Sequence, residues 1–580
     1  MARHRYLLIA TLILGAGLSL HLPSLQTGFF ADDYTYQLIM RGLWPDHTLP
    51  AWNMFDFGDV PGWQGHDPGP WTKIWWTAPD WQTRFFRPLT SGLFWLEHAT
   101  WGENSVGYHV TSLFLYGVLL GLALAVYRAL GLGRRSALIA LAFYAATSCG
   151  VFPVGWIANV NTVLATLLTL SAVLAVARLR GRWRLPVALT LAVLAFGAKE
   201  SGLVAPLVVS AYLALEAHRA PVGPARRQAL IGSILALSVA GGLLAAYILA
   251  GYGTRCLLYA TPWINPGLYL QRLAVLFTAG LLRLVVPVGV DLVYLVPATA
   301  IPLCVTAAVV MLIVGRYVWR RVSPHPAALF LAAWIFLSLL LEGSVLSSDR
   351  LLFNAAVGSA GLLALFVYAS LSQRTAPRRQ RALAWAVIVS AGIFSGLLTL
   401  FQQFTLAHIS RALRTHVLTA DPGPATGGRL DCVVLQPGNA VAVLSFNAVH
   451  AIAGRRPDAR YHHFQFGQRG LEWTRDSETT CLLSSLDEPF LTHFLEGLYL
   501  TSSEPPLPET RFETEVFKVE VMASDAEGLH SVRLSFDRPL DSADLRFLIT
   551  RDGHLASISP PPIGETVTIP RCADINPMSP

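Results

Sequence analysis

Charged residues are scarce in this chain. Asp, Glu, Lys and Arg make up 14% of its 580 residues, whereas soluble domains carry about 25%. Hydrophobic residues supply 53%, and this balance excludes an ordinary set of soluble domains and predicts a membrane protein. The net charge of +7 does not indicate nucleic-acid binding, because it is unevenly divided. Residues 1–405 hold 28 basic and 14 acidic residues, whereas 406–580 hold 15 and 22.

The chain also lacks the motifs of nucleotide and metal sites. It has six cysteines, no CxxC pair, no His-rich spacing and no phosphate-binding GxxxxGK loop. We therefore expect no cofactor and no metal site, although Asp32 and Asp33 with a phosphate could hold a divalent cation. In the C-terminal part, which holds Cys432, Cys481 and Cys572, one disulfide would suit an oxidising compartment. Cys432–Cys481 is the favoured pair, although the sequence alone does not fix the pairing.

Long apolar runs occupy the part of the chain before residue 405. A membrane-spanning helix needs about 20 mostly apolar residues, and we count eleven such segments. They are 6–22, 108–127, 136–152, 160–177, 186–198, 201–217, 228–250, 296–315, 326–342, 351–372 and 382–405. A further apolar run at 268–286 carries Arg272 and Arg283, and we predict that it is an interfacial helix on the outer side.

Arginines mark alternate loops between these segments. Basic residues are retained on the cytoplasmic side of a membrane, so their positions predict the orientation. The clusters fall at 3–5, 128–135, 178–184, 219–227, 316–321 and 374–381. This places the amino terminus in the cytoplasm and leaves a large outer loop at 23–107. The same alternation makes the C-terminal part extracytoplasmic.

The C-terminal part has a different sequence texture. After residues 1–405, which form the transmembrane module, we predict a linker at 406–428 and an extracytoplasmic α+β domain at 429–580. Strands are expected at 432–435, 440–446, 517–522, 532–536 and 545–550, a hairpin turn at 551–553, and an amphipathic helix at 488–500.

Two adjacent carboxylates follow the first span. Side chains at Asp32 and Asp33 would point about 100° apart on a helix, so they favour separate roles, one as a base and one orienting a neighbour. The alternative is that both are solvated charges or caps at a helix end. A Trp-rich stretch follows at 44–81 and leads to Arg84 and Arg87. Its tryptophans suit either an interfacial belt or stacking on sugar rings.

More polar residues lie at the outer ends of several spans. Ionisable groups at membrane depth are costly, so they are usually functional or mutually paired. A cation there suits a phosphate, and a carboxylate suits removal of a proton from a hydroxyl. Lys199 and Glu200 could instead form a local pair. The set comprises His109, Trp156, Asn159, Asn161, Lys199, Glu200, Glu342, Asp349 and Arg350.

The order of these motifs resembles a known superfamily. The pair at 32–33 is followed by FRPLTSGLFWL at 86–96, GYHV at 107–110, GWIANVN at 155–161, AKESG at 198–202 and SDRLLFN at 348–354. Over about residues 5–370 the chain resembles the C-type membrane glycosyltransferases (GT-C). It is most similar to the protein O-mannosyltransferases and the transmembrane tetratricopeptide-repeat mannosyltransferases, without the repeats.

The resemblance implies a reaction and roles for residues. An acidic residue of the first outer loop would activate the acceptor, and the donor would be a sugar on a polyprenyl phosphate, transferred with inversion. Asp32 would be the general base, Asp33 its orienting partner, and Arg350 would lie near the lipid phosphate. On chemical grounds we add Lys199 and the two arginines at 84 and 87 as phosphate contacts. Further site candidates are His109, Trp156, Asn159 and Glu200.

The sequence therefore predicts a multi-pass glycosyltransferase of a bacterial inner membrane. Its partners would be membrane lipids, the lipid-linked sugar and a glycan, lipid or protein acceptor, with no nucleic acid. Two other classes stay open. A transporter or flippase of lipid-linked saccharides would carry internal repeats and charges deep within its spans, and a non-catalytic relative would act as a membrane partner through its C-terminal domain.

Overall fold

Helices fill the first part of the chain and strands fill the last part. The computed structural model describes residues 3–43, 51–57, 74–373, 375–420, 429–454 and 459–572. Trp44, Trp63, Trp71 and residues 421–428 of the predicted linker lie outside the described residues. The predicted fold class, a helical membrane protein with a β-containing C-terminal domain, is confirmed. The residue boundaries of the two parts stay predictions.

The helical module contains nineteen α-helices among the described residues. Stretches of π-helix at Leu276–Gly280, Met311–Gly315 and Ile388–Phe394 connect α11 to α12, α14 to α15 and α18 to α19. The helices are α1 Arg3–His21, α2 Asp32–Met40, α3 Pro88–Trp101, α4 Ser105–Ala129, α5 Arg134–Ala145, α6 Val151–Gly155, α7 Val160–Arg178, α8 Arg184–Ala198, α9 Val204–Arg219, α10 Pro224–Leu249, α11 Pro266–Val275, α12 Leu281–Arg283, α13 Leu292–Leu295, α14 Ala300–Val310, α15 Arg316–Val322, α16 Ala328–Glu342, α17 Ala355–Ser372, α18 Arg378–Val387 and α19 Ser395–Leu418.

Eight of the described helices are long and apolar enough to cross a membrane. The number rises to nine if the bent pair Arg134–Ala145 and Ser148–Gly155 counts as one span. All eleven predicted segments coincide with helical structure, but α8 and α16 have 15 residues each. At 1.5 Å per residue, such a helix covers about 22 Å of a hydrocarbon core of about 30 Å. The count of eleven stays a prediction.

Small residues bring α7, α8 and α9 close together. Alanines of α7, α8 and α9 form one buried cluster, and small side chains allow such close approach between membrane helices. Gly202 lies so near α8 that a Cβ atom there would meet the Ala195 carbonyl oxygen at 2.0 Å. This contact holds the turn that carries Lys199 and Glu200 against the end of α8.

The described residues of the C-terminal domain form two sheets and two short helices. A mixed four-stranded sheet has the order β11-β10-β3-β4, and an antiparallel six-stranded sheet has the order β12-β5-β6-β9-β8-β7. β1 and β2 form a separate antiparallel pair in the helical module. The elements are β1 Gln82–Arg84, β2 Gly253–Arg255, β3 Leu430–Gln436, α20 Ala440–Val443, α21 Phe446–Ile452, β4 Ala459–His463, β5 Leu471–Arg475, β6 Thr480–Ser485, β7 Arg511–Glu513, β8 Phe517–Asp525, β9 Gly528–Phe536, β10 Leu545–Arg551, β11 His554–Ile558 and β12 Thr566–Ile569.

Two predictions for this domain are wrong at the level of secondary structure. Residues 440–446 are helix and turn, because the Asn439 side chain accepts the Val441 N–H at 2.9 Å and begins a helix. Residues 488–500 contain only the 3₁₀ turn Glu496–Leu498. There the Glu496 carboxylate binds the Phe466 and His493 N–H groups instead of lying on a helix surface. The other four predicted strands and the turn at 551–553 are confirmed.

The expected disulfide is absent. All six cysteines are described, and no two of them are joined. Cys432 lies on β3 of the four-stranded sheet and Cys481 on β6 of the six-stranded sheet, so the two sit in different layers. β3 is buried along its whole length, because one face meets the six-stranded sheet and the other meets helices.

The first outer loop, residues 23–107, packs against the C-terminal domain. Trp75 and Trp76 are buried in the core of the C-terminal domain, and Trp75 Nε1 donates to the Phe464 carbonyl at 2.9 Å. Trp81 Nε1 donates to the Leu498 carbonyl at 2.7 Å. Trp75 and Trp76 therefore form a docking contact between the loop and the domain, which replaces the expected interfacial belt or sugar-stacking surface at these two positions.

Candidate functional site

Three consecutive carbonyl groups before the Asp pair are held by three different helical regions. His109 Nε2 of α4 lies 3.0 Å from the Gly28 carbonyl oxygen, which can only accept, so this nitrogen carries the proton. Ser410 Oγ of α19 donates to the Phe29 carbonyl at 3.1 Å, and Trp156 Nε1 donates to the Phe30 carbonyl at 3.2 Å. The path of the backbone into α2 is therefore fixed by groups distant in sequence.

The backbone is strained directly before the first carboxylate. Ala31 adopts a φ of +46°, a region that costs a non-glycine residue free energy and persists only where the surroundings enforce it. Such strain is common where a protein fixes a functional group. Here the next residue is Asp32, the first residue of α2.

Asp33 is a buried carboxylate that stabilises this turn. Its Oδ2 accepts the Phe30 N–H at 2.9 Å, and its Oδ1 accepts the Ala158 N–H at 2.6 Å. Burial raises the pKa of Asp33, while the two backbone hydrogen bonds oppose that increase. Asp33 thus ties the outer loop to the start of the helix that follows Trp156.

Asp32 differs from Asp33 in its hydrogen bonds. Its carboxylate is half-buried and makes no hydrogen bond or ion pair within the part of the chain that the structure describes. Burial raises the pKa of Asp32, and the guanidinium groups of Arg350 and Arg87 act against that increase. An accessible carboxylate with a raised pKa is suited to accept a proton near neutral pH.

Arg350 presents a guanidinium group without a carboxylate partner among the described residues. Its Cζ lies 5.4 Å from the centre of the Trp156 ring, which is a cation–π distance. Trp156 therefore has two contacts at this site, since its Nε1 also holds the Phe30 carbonyl. Arg350 is half-buried, so a ligand phosphate would meet a partly desolvated cation.

A buried ion pair holds the segment that carries Arg350. Asp349 accepts Arg283 Nε at 2.7 Å and the Val290 N–H at 2.8 Å. Arg283 Nη2 also donates to Ser148 Oγ at 2.6 Å. Arg272 and Arg283 of the apolar run 268–286 are both only 3% exposed, and the interfacial position of that run stays a prediction.

Arg84 and Arg87 are both paired with carboxylates. Arg87 contacts Glu200 with Nε at 2.9 Å and Nη2 at 2.8 Å, and its Cζ lies 4.3 Å from the Phe85 ring. Arg84 contacts Asp56 with Nε at 2.9 Å and Nη2 at 3.1 Å. Glu200 therefore pairs with Arg87 and not with its neighbour in sequence. The roles of these residues in binding phosphate stay predictions.

Lys199 extends the polar site on the side of α7. Its Nζ donates to Thr162 Oγ1 at 2.8 Å, and Thr162 Oγ1 donates to Asn159 Oδ1 at 2.8 Å. Glu342 is the strongest electrostatic neighbour of Lys199, although no ion pair joins them within the described ranges. Asn159 Nδ2 is buried without a hydrogen-bond partner in the described chain.

Three tyrosines were missed by the sequence reasoning. Tyr36, Tyr259 and Tyr499 all interact electrostatically with Asp32. Tyr36 lies four residues after Asp32, so its position on the same face of α2 was readable from the sequence. Tyr259 comes from the loop after β2 and Tyr499 from the C-terminal domain, and no local pattern pointed to either.

Within the described residues, the arrangement places a carboxylate among cations and forms no metal-ligand cluster. In the described ranges, no group of three or more His, Cys, Asp or Glu side chains could hold a metal ion. One accessible carboxylate lies near an arginine without a carboxylate partner, with a lysine and a second, neutralised arginine close by. Such a site can remove a proton from a hydroxyl and stabilise a departing anion.

Similar solved structures were found, but no protein-family model and no curated protein matches this chain. The Archaeoglobus fulgidus oligosaccharyltransferase tethered with an acceptor peptide containing the NVT sequon has 12% identity and a TM-score of 0.41, over 79% of this chain and 64% of that one. The chain thus spans less than two thirds of that enzyme's length. ArnT from Cupriavidus metallidurans bound to undecaprenyl phosphate has 11% identity and a TM-score of 0.38, over 77% of this chain and 85% of that one.

Proposed function

We propose that this chain is an integral-membrane glycosyltransferase that acts at the outer face of a bacterial inner membrane. It would move a sugar from a polyprenyl-phosphate donor to a hydroxyl group of an acceptor. The observation that carries this proposal is that a carboxylate, Asp32, and a guanidinium group, Arg350, are electrostatic neighbours at one site. Neither has an ion-pair partner in the described part of the chain.

The reaction follows from the chemistry of these two groups. Asp32 accepts the proton of the acceptor hydroxyl, and the hydroxyl oxygen forms a bond to the anomeric carbon of the donor sugar. The bond between that carbon and the phosphate oxygen breaks, and the phosphate leaves with the electron pair. Attack from the face opposite the phosphate inverts the anomeric centre. Cations aimed at the leaving oxygen stabilise the charge that develops there.

Asp32 suits the role of base better than Asp33. A base must have a lone pair available to the substrate, and both oxygens of Asp33 already accept backbone N–H groups. Asp32 has no such bonds among the described residues, and burial moves its pKa toward the working range. Asp33 acts as a positioning residue that holds the turn from which Asp32 projects.

The cations Arg350, Lys199 and Arg87 differ in whether a carboxylate contacts them. Arg350 and Lys199 are not neutralised by a carboxylate contact in the described chain, so we assign the donor phosphate to them. Arg87 is bound on two sides by Glu200, and a bidentate pair of this kind leaves little capacity for a second anion. Its effect on Asp32 is electrostatic, since it lowers the pKa of that carboxyl.

Reconstitution of the purified protein tests this function. Proteoliposomes would contain a polyprenyl-phosphate sugar with a radiolabel on the sugar, and a glycolipid, a polysaccharide and a serine-containing peptide would be offered as acceptors. We expect release of polyprenyl phosphate and transfer of the label to one acceptor class, with an inverted anomeric linkage by NMR. Movement of the intact labelled lipid across the bilayer without bond cleavage would instead support a flippase.

A further inference from the structure

One continuous helix is longer than a membrane is thick. It runs over Arg378–Leu418 through α18, a π-helical stretch and α19, and it has 41 residues. At 1.5 Å per residue it is about 60 Å long, whereas the hydrocarbon core of a bilayer is about 30 Å thick and the whole bilayer about 40–45 Å. The helix therefore extends beyond the hydrocarbon core into the headgroup layers.

The charges of this helix fall into two groups. Arg378, Arg379 and Arg381 lie near its first end, and Arg411 and Arg414 lie near its second end. No Asp, Glu, Lys or Arg lies between residues 381 and 411. The distance along the axis from residue 381 to residue 411 is about 45 Å, which is the thickness of a bilayer with its headgroups. The two groups of arginines therefore match the two headgroup layers.

The second group continues the lipid-facing side of the helix. Phe401 is 58% exposed and Phe404 is 51% exposed. His408 and Arg411 follow at spacings of four and three residues, so they lie on the same face, and both are exposed. Arg414 is exposed one turn later. Since exposed aromatic residues on a membrane-crossing helix contact lipid, the arginines lie on the side where the headgroups of those lipids are.

Neither of the two arginines is neutralised by the protein. Arg411 and Arg414 contact no carboxylate within the part of the chain that the structure describes. Arg411 Nε donates to the Ala407 carbonyl at 3.2 Å, and Arg414 is an electrostatic neighbour of the Tyr34 hydroxyl. Residues three apart on a helix are surface neighbours. Two neighbouring guanidinium groups suit a phosphate, whose oxygens can accept from both.

The opposite face of the same helix end holds two other parts of the protein. Ser410 Oγ donates to the carbonyl of Phe29, three residues before Asp32. His416 Nδ1 lies 2.9 Å from the Gly553 carbonyl oxygen of the C-terminal domain. A headgroup bound on the exposed face would therefore fix the depth of a helix end that contacts both the outer loop and the domain.

We propose that Arg411 and Arg414 form a binding site for the phosphate of an anionic membrane phospholipid. The acyl chains of the lipid lie along the exposed aromatic residues of α19, and the phosphate accepts hydrogen bonds from both guanidinium groups. The bound lipid holds the end of α19 at the membrane surface. This inference is independent of the proposed glycosyl transfer, because it concerns a lipid of the surrounding membrane and involves neither donor nor acceptor.

Native mass spectrometry of the full chain in a neutral detergent tests this site. The protein would be titrated separately with phosphatidylglycerol and phosphatidylcholine, and the bound lipids would be counted at each concentration. Because other arginines also meet headgroups, the readout is the difference between the parent and Arg411→Gln/Arg414→Gln. We expect the parent to prefer phosphatidylglycerol. In the double variant the affinity of one phosphatidylglycerol site should fall about 30-fold, at about fivefold for each arginine removed.

Two control variants separate this site from a general effect of charge. Arg511→Gln/Lys518→Gln removes the same charge from exposed residues of β7 and β8 and should bind both lipids like the parent. Arg411→Lys/Arg414→Lys keeps the charges and should retain the preference for phosphatidylglycerol. Equal affinity of the parent for the two phospholipids, or unchanged phosphatidylglycerol binding in Arg411→Gln/Arg414→Gln, would overturn the proposal. Displacement of phosphatidylglycerol from this site by equimolar polyprenyl phosphate would assign the arginines to that lipid and overturn it as well.

Discussion

Asp32 and Asp33 are neighbours in sequence, yet their replacement by alanine should lower stability by very different amounts. Asp33→Ala removes the acceptor of two backbone N–H groups, from Phe30 and Ala158. Each buried donor left without a partner costs about 1–3 kcal/mol, so we expect a loss of about 2–6 kcal/mol. Asp32→Ala removes no hydrogen bond of the described chain, and we expect a change within about 0.5 kcal/mol.

Thermal unfolding in detergent measures this difference. Each variant would be heated in parallel with the parent protein, and the folded fraction would be followed by fluorescence-detected size exclusion. Asp80→Ala is the matched control, because Asp80 is an exposed carboxylate of the same outer loop. Equal losses of stability in the two variants, or a larger loss in Asp32→Ala, would refute the assignment of separate roles.

Three further predictions concern the arginine network, the pH dependence and the docking contact. Arg283→Met or Asp349→Asn alone should destabilise the protein by about 3–5 kcal/mol, since each leaves a buried partner uncompensated; the thermal midpoint checks this. Transfer should fall on the acid side as Asp32 becomes protonated. kcat/KM should decline as the pH drops through the pKa of Asp32, which burial raises above 3.8. Arg350→Gln removes a charge that lowers this pKa, so a pH–rate profile should show the acid limb at higher pH, and an unchanged or lower limb would contradict the assignment. Trp75→Ala should cost about 3–5 kcal/mol at the contact between loop and domain, seen as faster limited proteolysis of the C-terminal domain.

The membrane helices were predictable because one physical constraint acts on each of them alone. A segment that crosses hydrocarbon must be apolar along its length and must satisfy its own backbone, and α4, α7 and α10 show this within their local sequence. The strands β8, β9 and β10 were also readable from short β-rich runs. In each case the information lies within the element.

The errors arise where a helix cap or a distant partner overrides the local pattern. The valines at 440–446 favour a strand, but the Asn439 side chain begins a helix there. Residues 488–500 favour an amphipathic helix, yet the Glu496 carboxylate accepts the N–H of Phe466, 30 residues away. The partner of such a carboxylate cannot be read from periodicity.

The candidate site was partly predictable for the same reason. Asp32 and Asp33 were recognisable as a pair that favours separate roles, because their geometry on one helix is local. Which of the two is accessible depends on Ala158 and on Trp156, which lie more than 120 residues away. The contribution of Tyr499 from another domain had no signal in the sequence near Asp32.

Transfer by the Asp32→Asn protein tests the central claim most directly. The variant, the parent and an Asp80→Asn control would be reconstituted with the labelled polyprenyl-phosphate sugar, and both bound donor and glycosylated acceptor would be measured. The account predicts that Asp32→Asn binds the donor like the parent and transfers at least about 100-fold more slowly, as expected for loss of a general base. Transfer at the parent rate by Asp32→Asn would contradict the account.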